Sequence, residues 1–237
     1  MEKYFTLPTP DWYEINWVLN WKEKSERLII LCHGFQGKLN RHIFHNWAKY
    51  FTEKWFHTFR FNFYDVWKKN RKLHNCDFDI HWQDIDTVVD FFRSDYKKII
   101  VIGHSFGWLS ILYSSQKFSQ MVLWDPSLIL KENQSWVWES IYNEKQKLFL
   151  FPDDMTYISE KMLYQHTQES KKMAYNFLIA WYIICAEKCY LYENWLSISD
   201  EIKNCKWIHN IVWANHNFDE EWTEEELFEK TLEFISK

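Results

Sequence analysis

Residues 103–107 read Gly-His-Ser-Phe-Gly, a G-x-S-x-G pentapeptide. In that pattern a serine sits on a tight strand-to-helix turn with its hydroxyl thrust above a sheet, and the flanking glycines let neighbouring backbone approach. A serine hydroxyl is a weak nucleophile until a base takes its proton. Ser105 therefore requires a histidine later in the chain, beyond a strand near the C-terminus. Of ten histidines, His216 stands in that place, within Ala214-Asn215-His216-Asn217-Phe218, after a strand-like stretch at 206–213 and before the last helical pattern. His209 lies inside the stretch and is the weaker rival. Attack on a carbonyl also develops an oxyanion, which needs one N–H donor from the residue after the serine and one from a loop after an earlier strand. Phe106 and Phe35, the latter in His33-Gly34-Phe35, are the candidates.

These positions lie far apart in the chain, so a fold must gather them at one edge. Residues 27–32 form a continuous apolar run of the kind buried on both faces of a parallel sheet, and it ends at His33-Gly34. A helix is predicted over roughly 42–54, a strand over 56–63 and a helix over 84–92, the last from Ile85, Val88, Val89 and Phe92. A buried strand at 98–102 runs into the serine turn, followed by a helix with Leu109, Leu112 and Tyr113 on one face. A short strand at 121–124 ends in Asp125-Pro126. Strand patterns resume at 177–186 and 206–213, and a closing helix runs to Ile235, with Thr223 and Glu226 spaced as a capping box. The alternation predicts an α/β fold, a mostly parallel doubly wound sheet with helices on both faces. Residues 127–176 break the rhythm and read as a small helical cap inserted into a single domain spanning 1–237.

Composition removes several classes. Apolar residues make up 47% and charged residues 26% of 237, as in ordinary globular proteins. No stretch approaches the ~20 apolar residues of a spanning helix, and the first eight residues contain no apolar core for a secretory signal, so a cytoplasmic location is expected. A net charge of −5 leaves no basic surplus for nucleic acid. The five cysteines lack a CxxC pair and read as free thiols, and His74, Cys76, Asp77 and His81 lack a zinc spacing. No metal site is expected.

The HGF turn, the GHSFG pentapeptide and the late A-x-H-x-F together resemble the α/β-hydrolase superfamily, and within it small cytosolic acyl hydrolases. The resemblance runs from about residue 11 onward and is weakest across 127–176. It implies Ser105 as nucleophile, His216 as base, and an acyl-enzyme formed without a cofactor. The commonest family pattern places the acid after the second-last strand, where this chain has Cys189 in Ala186-Glu187-Lys188-Cys189. A thiol cannot orient an imidazolium as a carboxylate does. Asp125, at the end of the strand after the serine strand, is the favoured acid, with Glu187 as the alternative.

The expected activity is hydrolysis of carboxylic esters or thioesters of short to medium acyl chains, by a monomer or homodimer with a small acyl ester as substrate. A lactonase, amidase or acyltransferase would use the same residues. A catalytically impaired fold acting as a binding module is the rival of another class. Trp136, Trp138, Tyr142, Phe149, Phe151, Tyr157 and Tyr164 make the insertion rich in aromatics, consistent with an apolar acyl or aryl pocket.

One count is abnormal. The chain has 4 glycines and 16 tryptophans, and their sum is close to an ordinary glycine total, which runs at about 7% of residues. Against the family pattern, Trp55, Trp108 and Trp213 stand where glycine is common, with Trp12, Trp17 and Trp82 similar. A gene whose UGA codons mean glycine, read as tryptophan, would give this pattern. Trp124 fits as it stands.

Overall fold

The computed structural model describes residues 1–130, 140–151, 155–176, 181–202, 204–220 and 222–237. The chain opens with a hairpin that the hydrophobic pattern did not announce, β1 (Glu2–Pro8) and β2 (Glu14–Asn20), paired antiparallel. Then come β3 (Arg27–Cys32), α1 (His42–Glu53), β4 (His57–Phe61), α2 (Phe78–Phe92), β5 (Lys98–His104), α3 (Gly107–Tyr113) and β6 (Gln120–Trp124). After the insertion, the sheet is completed by the strands Trp181–Ala186 and Cys205–Ile211.

The insertion differs from expectation. It begins its described part as a three-stranded antiparallel sheet, β7 (Ile141–Asn143), β8 (Leu148–Phe151) and β9 (Thr156–Ser159). Only then do the helices α4 (Glu160–Tyr164) and α5 (Ser170–Asn176) follow, joined by a π turn over Gln165–Glu169. Leu-Phe-Leu-Phe and Thr-Tyr-Ile-Ser are aromatic and β-branched runs that fit a pleated surface better than a helix. Trp136 and Trp138 lie outside the described residues.

With β10 (Trp181–Ala186), α6 (Leu191–Ser199), β11 (Cys205–Ile211) and α7 (Thr223–Ile235), the main sheet has eight strands among the described residues, in the order β1-β2-β4-β3-β5-β6-β10-β11. All pairs from β4 to β11 are parallel, whereas β2 pairs antiparallel with both β1 and β4 and so runs against the other strands. Two apolar layers sandwich it. Leu28, Ile30 and Cys32 face the layer containing α2, α3 and α6, while Ile29 and Leu31 face the one containing α1 and α7. This is why β3 is apolar at every position from Leu28 to Cys32 rather than alternating. No helix among the described residues is long and apolar enough to cross a membrane.

The predicted capping box at the last helix does not form. Thr223 is the first helical residue, and its hydroxyl donates to the Glu220 carbonyl. Glu226 instead pairs with His209 at 2.8 Å, which also gives the rival histidine a structural role.

Candidate active site

Because β3, β5, β6, β10 and β11 run parallel, the loops that follow them emerge at one edge, where the crevice of an open α/β sheet lies. The loop after β3 carries Phe35, that after β5 Ser105, that after β6 Asp125, and that after β11 His216.

Ser105 is held at φ 52° between β5 and α3, with its N–H bonded to the Trp124 carbonyl at 3.0 Å. A left-handed φ at a serine is strained and persists only where surroundings dictate it. Here they do. A Cβ on Gly107 would stand 2.2 Å from the Cys32 carbonyl oxygen, so the turn closes only because that position has no side chain. A Cβ on Gly34 would lie 2.5 Å from Ser105 Cβ, which puts the backbone after β3 directly against the serine.

Ser105, His216 and Asp125 form one hydrogen-bonded line. The Ser105 hydroxyl donates to His216 Nε2 at 2.9 Å, and His216 Nδ1–H donates to Asp125 Oδ2 at 2.5 Å. Asp125 is fully buried at φ 41°, and its other oxygen accepts the Ala186 N–H at 3.1 Å. The His216 side chain is 37% exposed, so the imidazole is open to solvent while its acid is not. Glu187, the alternative acid, is exposed and turned elsewhere, accepting the Trp213 N–H at 2.8 Å.

Cys189 stands beside the acid. The ligand atoms of Asp125, Cys189 and His216 lie within 4.8 Å of one another, a grouping that a metal ion could in principle use. Burial, followed by the Asp125 charge, pushes the Cys189 thiol up to about 12, so it does not carry a negative charge beside the acid at neutral pH.

Two buried histidines support this arrangement, and reading the motifs alone did not assign them. His104, the second residue of the pentapeptide, donates from Nε2 to the His216 carbonyl at 2.9 Å and lies tilted against its ring at 5.0 Å between centroids. His33 accepts the Phe63 N–H at Nε2 and so must donate from Nδ1 to the Gly34 carbonyl at 2.8 Å. Burial lowers His104 to about 3 and His33 to about 4, which favours the neutral ring in both, and the accepting Nε2 of His33 requires it there. A histidine beside glycine or serine at such turns was the available signal.

Aromatic rings flank the line. Phe35 lies 5.5 Å from Phe106 and 6.0 Å from Phe151 of the insertion, and Phe106 lies 4.0 Å from the buried His166. Gln36 bonds Thr156 at 2.8 Å, and Gln165 accepts the Phe78 N–H at 3.0 Å, so the insertion is docked over this edge. Trp108 packs behind the serine turn, its indole N–H donating to the Ser127 carbonyl at 3.1 Å and its ring edge-on to Trp195.

No family model matches the sequence, and no curated protein matches it either. Solved structures do match in shape. Est1E from Butyrivibrio proteoclasticus, in a structure with ferulic acid bound, is 18% identical over 98% of this chain and 100% of its own, with a TM-score of 0.76. XC6422 from Xanthomonas campestris, described as an α/β serine hydrolase without a lid, is 14% identical over 99% of this chain and 94% of its own, with a TM-score of 0.67. Mouse α/β hydrolase domain-containing protein 10 is 13% identical over 99% of this chain and 98% of its own, with a TM-score of 0.70.

Proposed function

The chain has the α/β-hydrolase fold, and on that premise we propose that it is a serine hydrolase that cleaves carboxylic esters or thioesters of short to medium acyl chains. The observation that carries this reading is the line from Ser105 Oγ through His216 to the buried Asp125. His216 Nε2 takes the hydroxyl proton as Oγ bonds to the acyl carbon, and Asp125 stabilises the imidazolium that results. The N–H groups of Phe35 and Phe106 receive the oxyanion, a contribution of about 3 kcal/mol per donor in comparable sites. His216 then returns the proton to the departing alcohol or thiol. A water, deprotonated by the same imidazole, releases the acid and restores Ser105.

The rings of Phe35, Phe106 and Phe151 support an apolar or aryl acyl group, in keeping with the phenolic acid held by the Est1E structure. Lactones, amides or an acyl acceptor other than water would use the same first half-reaction. The test is labelling with a fluorophosphonate together with hydrolysis of p-nitrophenyl esters from acetyl to decanoyl. Labelling and turnover that both vanish in Ser105→Ala support the reading. Folded protein that neither labels nor hydrolyses any of the series supports the binding-module alternative.

A further inference from the structure

Three tryptophans hold backbone that suits glycine. Trp12, Trp55 and Trp213 have φ of 70°, 69° and 67°. These residues are 95%, 51% and 62% exposed, so packing does not hold them there. A left-handed φ crowds Cβ against the following carbonyl oxygen, a penalty that glycine escapes and a bulky aromatic does not.

Local bonding identifies the turn in each case. At the end of α1, the Phe56 N–H bonds the Phe51 carbonyl and the Trp55 N–H bonds the Thr52 carbonyl, at 3.1 and 3.3 Å. That pair of bonds defines a Schellman motif, and Trp55 occupies the C′ position that glycine usually takes. Between β1 and β2, the turn Thr9-Pro10-Asp11-Trp12 is closed by the Trp12 N–H on the Thr9 carbonyl at 3.1 Å. Pro-Asp followed by a left-handed residue is the x-P-D-G turn with tryptophan in the glycine place. After β11, the Ala214 N–H closes on the Ile211 carbonyl at 3.3 Å, with the positive φ at the third position, where type II turns place glycine. By contrast, Trp124 and Trp195 are fully buried, and their indole N–H groups donate to Thr231 Oγ1 and the Pro126 carbonyl at 2.9 and 2.8 Å. Trp17, Trp82 and Trp108 lie in ordinary strand or helix.

We infer that residues 12, 55 and 213 are glycine in the protein as its own cell makes it, their codons being UGA read as glycine. With 4 glycines against 16 tryptophans, the composition points the same way. The test is the three codons together with the masses of the corresponding peptides from the source cells. UGA at all three with glycine in the peptides is the expected result. UGG at any of them, or tryptophan in the peptides, overturns it. On the tryptophan-bearing protein, Trp12→Gly, Trp55→Gly and Trp213→Gly should each raise the melting midpoint by about 2–4 °C, whereas Trp124→Gly and Trp195→Gly lower it. A midpoint that does not rise at any of the three removes the conformational argument.

A second inference rests on the hydrolase reading and on a separate observation. The Gly34 carbonyl accepts from the Gly37 N–H at 3.0 Å and the Tyr64 hydroxyl at 3.1 Å, besides His33. The Tyr64 oxygen also faces the N–H groups of Gln36 and Gly37, so the buried phenol fills the turn from inside. In a planar trans peptide, fixing the Gly34 carbonyl fixes the Phe35 N–H in the opposite direction. The geometry points to Tyr64 as a positioning residue for the oxyanion donor. Tyr64→Phe, which keeps the ring, should lower kcat about tenfold with KM within twofold and slow fluorophosphonate labelling in parallel. Unchanged kcat in a wild-type background that labels and turns over overturns the role of Tyr64 alone. Wild-type protein that neither labels nor turns over overturns the hydrolase reading beneath it.

Discussion

His216 Nδ1 lies 2.5 Å from Asp125 Oδ2, across 91 residues of chain, while Glu187, much nearer in sequence, is turned to the Trp213 N–H. The two carboxylates therefore differ in a measurable way. Asp125→Asn keeps the shape but presents an amide to the imidazole, and kcat should fall about 10³- to 10⁴-fold, as expected when the imidazole is left in the wrong tautomer. Glu187→Gln should stay within about threefold of wild type, since only one hydrogen bond at an exposed turn is weakened. Esterase kinetics on the two variants decide the matter, and equal losses would remove Asp125 from its role.

Gly34 makes a second prediction, through space rather than charge. An added methyl would sit 2.5 Å from Ser105 Cβ and 3.1 Å from Ser105 Oγ, so the loop after β3 or the serine must move. Gly34→Ala should reduce kcat by at least about 100-fold, the scale of losing one oxyanion donor. Far-UV circular dichroism must be preserved for the loss to count, and full activity in a folded variant would contradict the close packing.

The sheet and the line Ser105–His216–Asp125 were legible because each rests on a local pattern: apolar runs for strands, a pentapeptide for the turn, Asp-Pro at a strand end. The hairpin β1–β2 was not, because its strands mix polar residues into positions that face solvent, as the exposed Glu2, Lys3 and Tyr4 do. Tyr64 carries no motif at all; its partner, the Gly34 carbonyl, lies 30 residues away and is reached only through the fold. The capping box failed for a related reason, since Glu226 is drawn to His209 on β11, a tertiary partner that spacing cannot reveal.

Phe151 tests whether the insertion shapes the acyl pocket. Its ring is 7% exposed and meets Phe35, which follows the loop glycine against Ser105. Phe151→Leu keeps an apolar surface but frees space, so kcat/KM for octanoyl over acetyl esters should rise about three- to tenfold. An unchanged ratio across the ester series would place the pocket elsewhere.

The buried histidines set the response to acid. Burial lowers His104 to about 3 and His33 and His166 to about 4, and it holds His81 well below its ordinary 6.5. In the window from about 6.5 down to 4 the unfolded chain binds protons that the folded chain refuses, so stability is whole above 6.5 and drains as pH falls. Charges around these rings are mixed: Arg41 disfavours a proton on His33 while Asp65 favours it, and His216 and Arg41 oppose one on His104. Asp84, raised to about 7 by burial despite its pairing with Arg71, acts in the opposite direction over much of the same window. It is one group against four, so the histidines set the sign. The lowered carboxyls of Glu2 and Asp11 bear on stability only nearer and below their ordinary range. The melting midpoint should therefore fall steadily between pH 7 and pH 4.5. His104→Gln retains a donor for the His216 carbonyl but cannot titrate, so its curve should start lower or level at pH 7 and fall less steeply. Parallel curves for the two proteins would show that His104 is not among the groups that drive the loss.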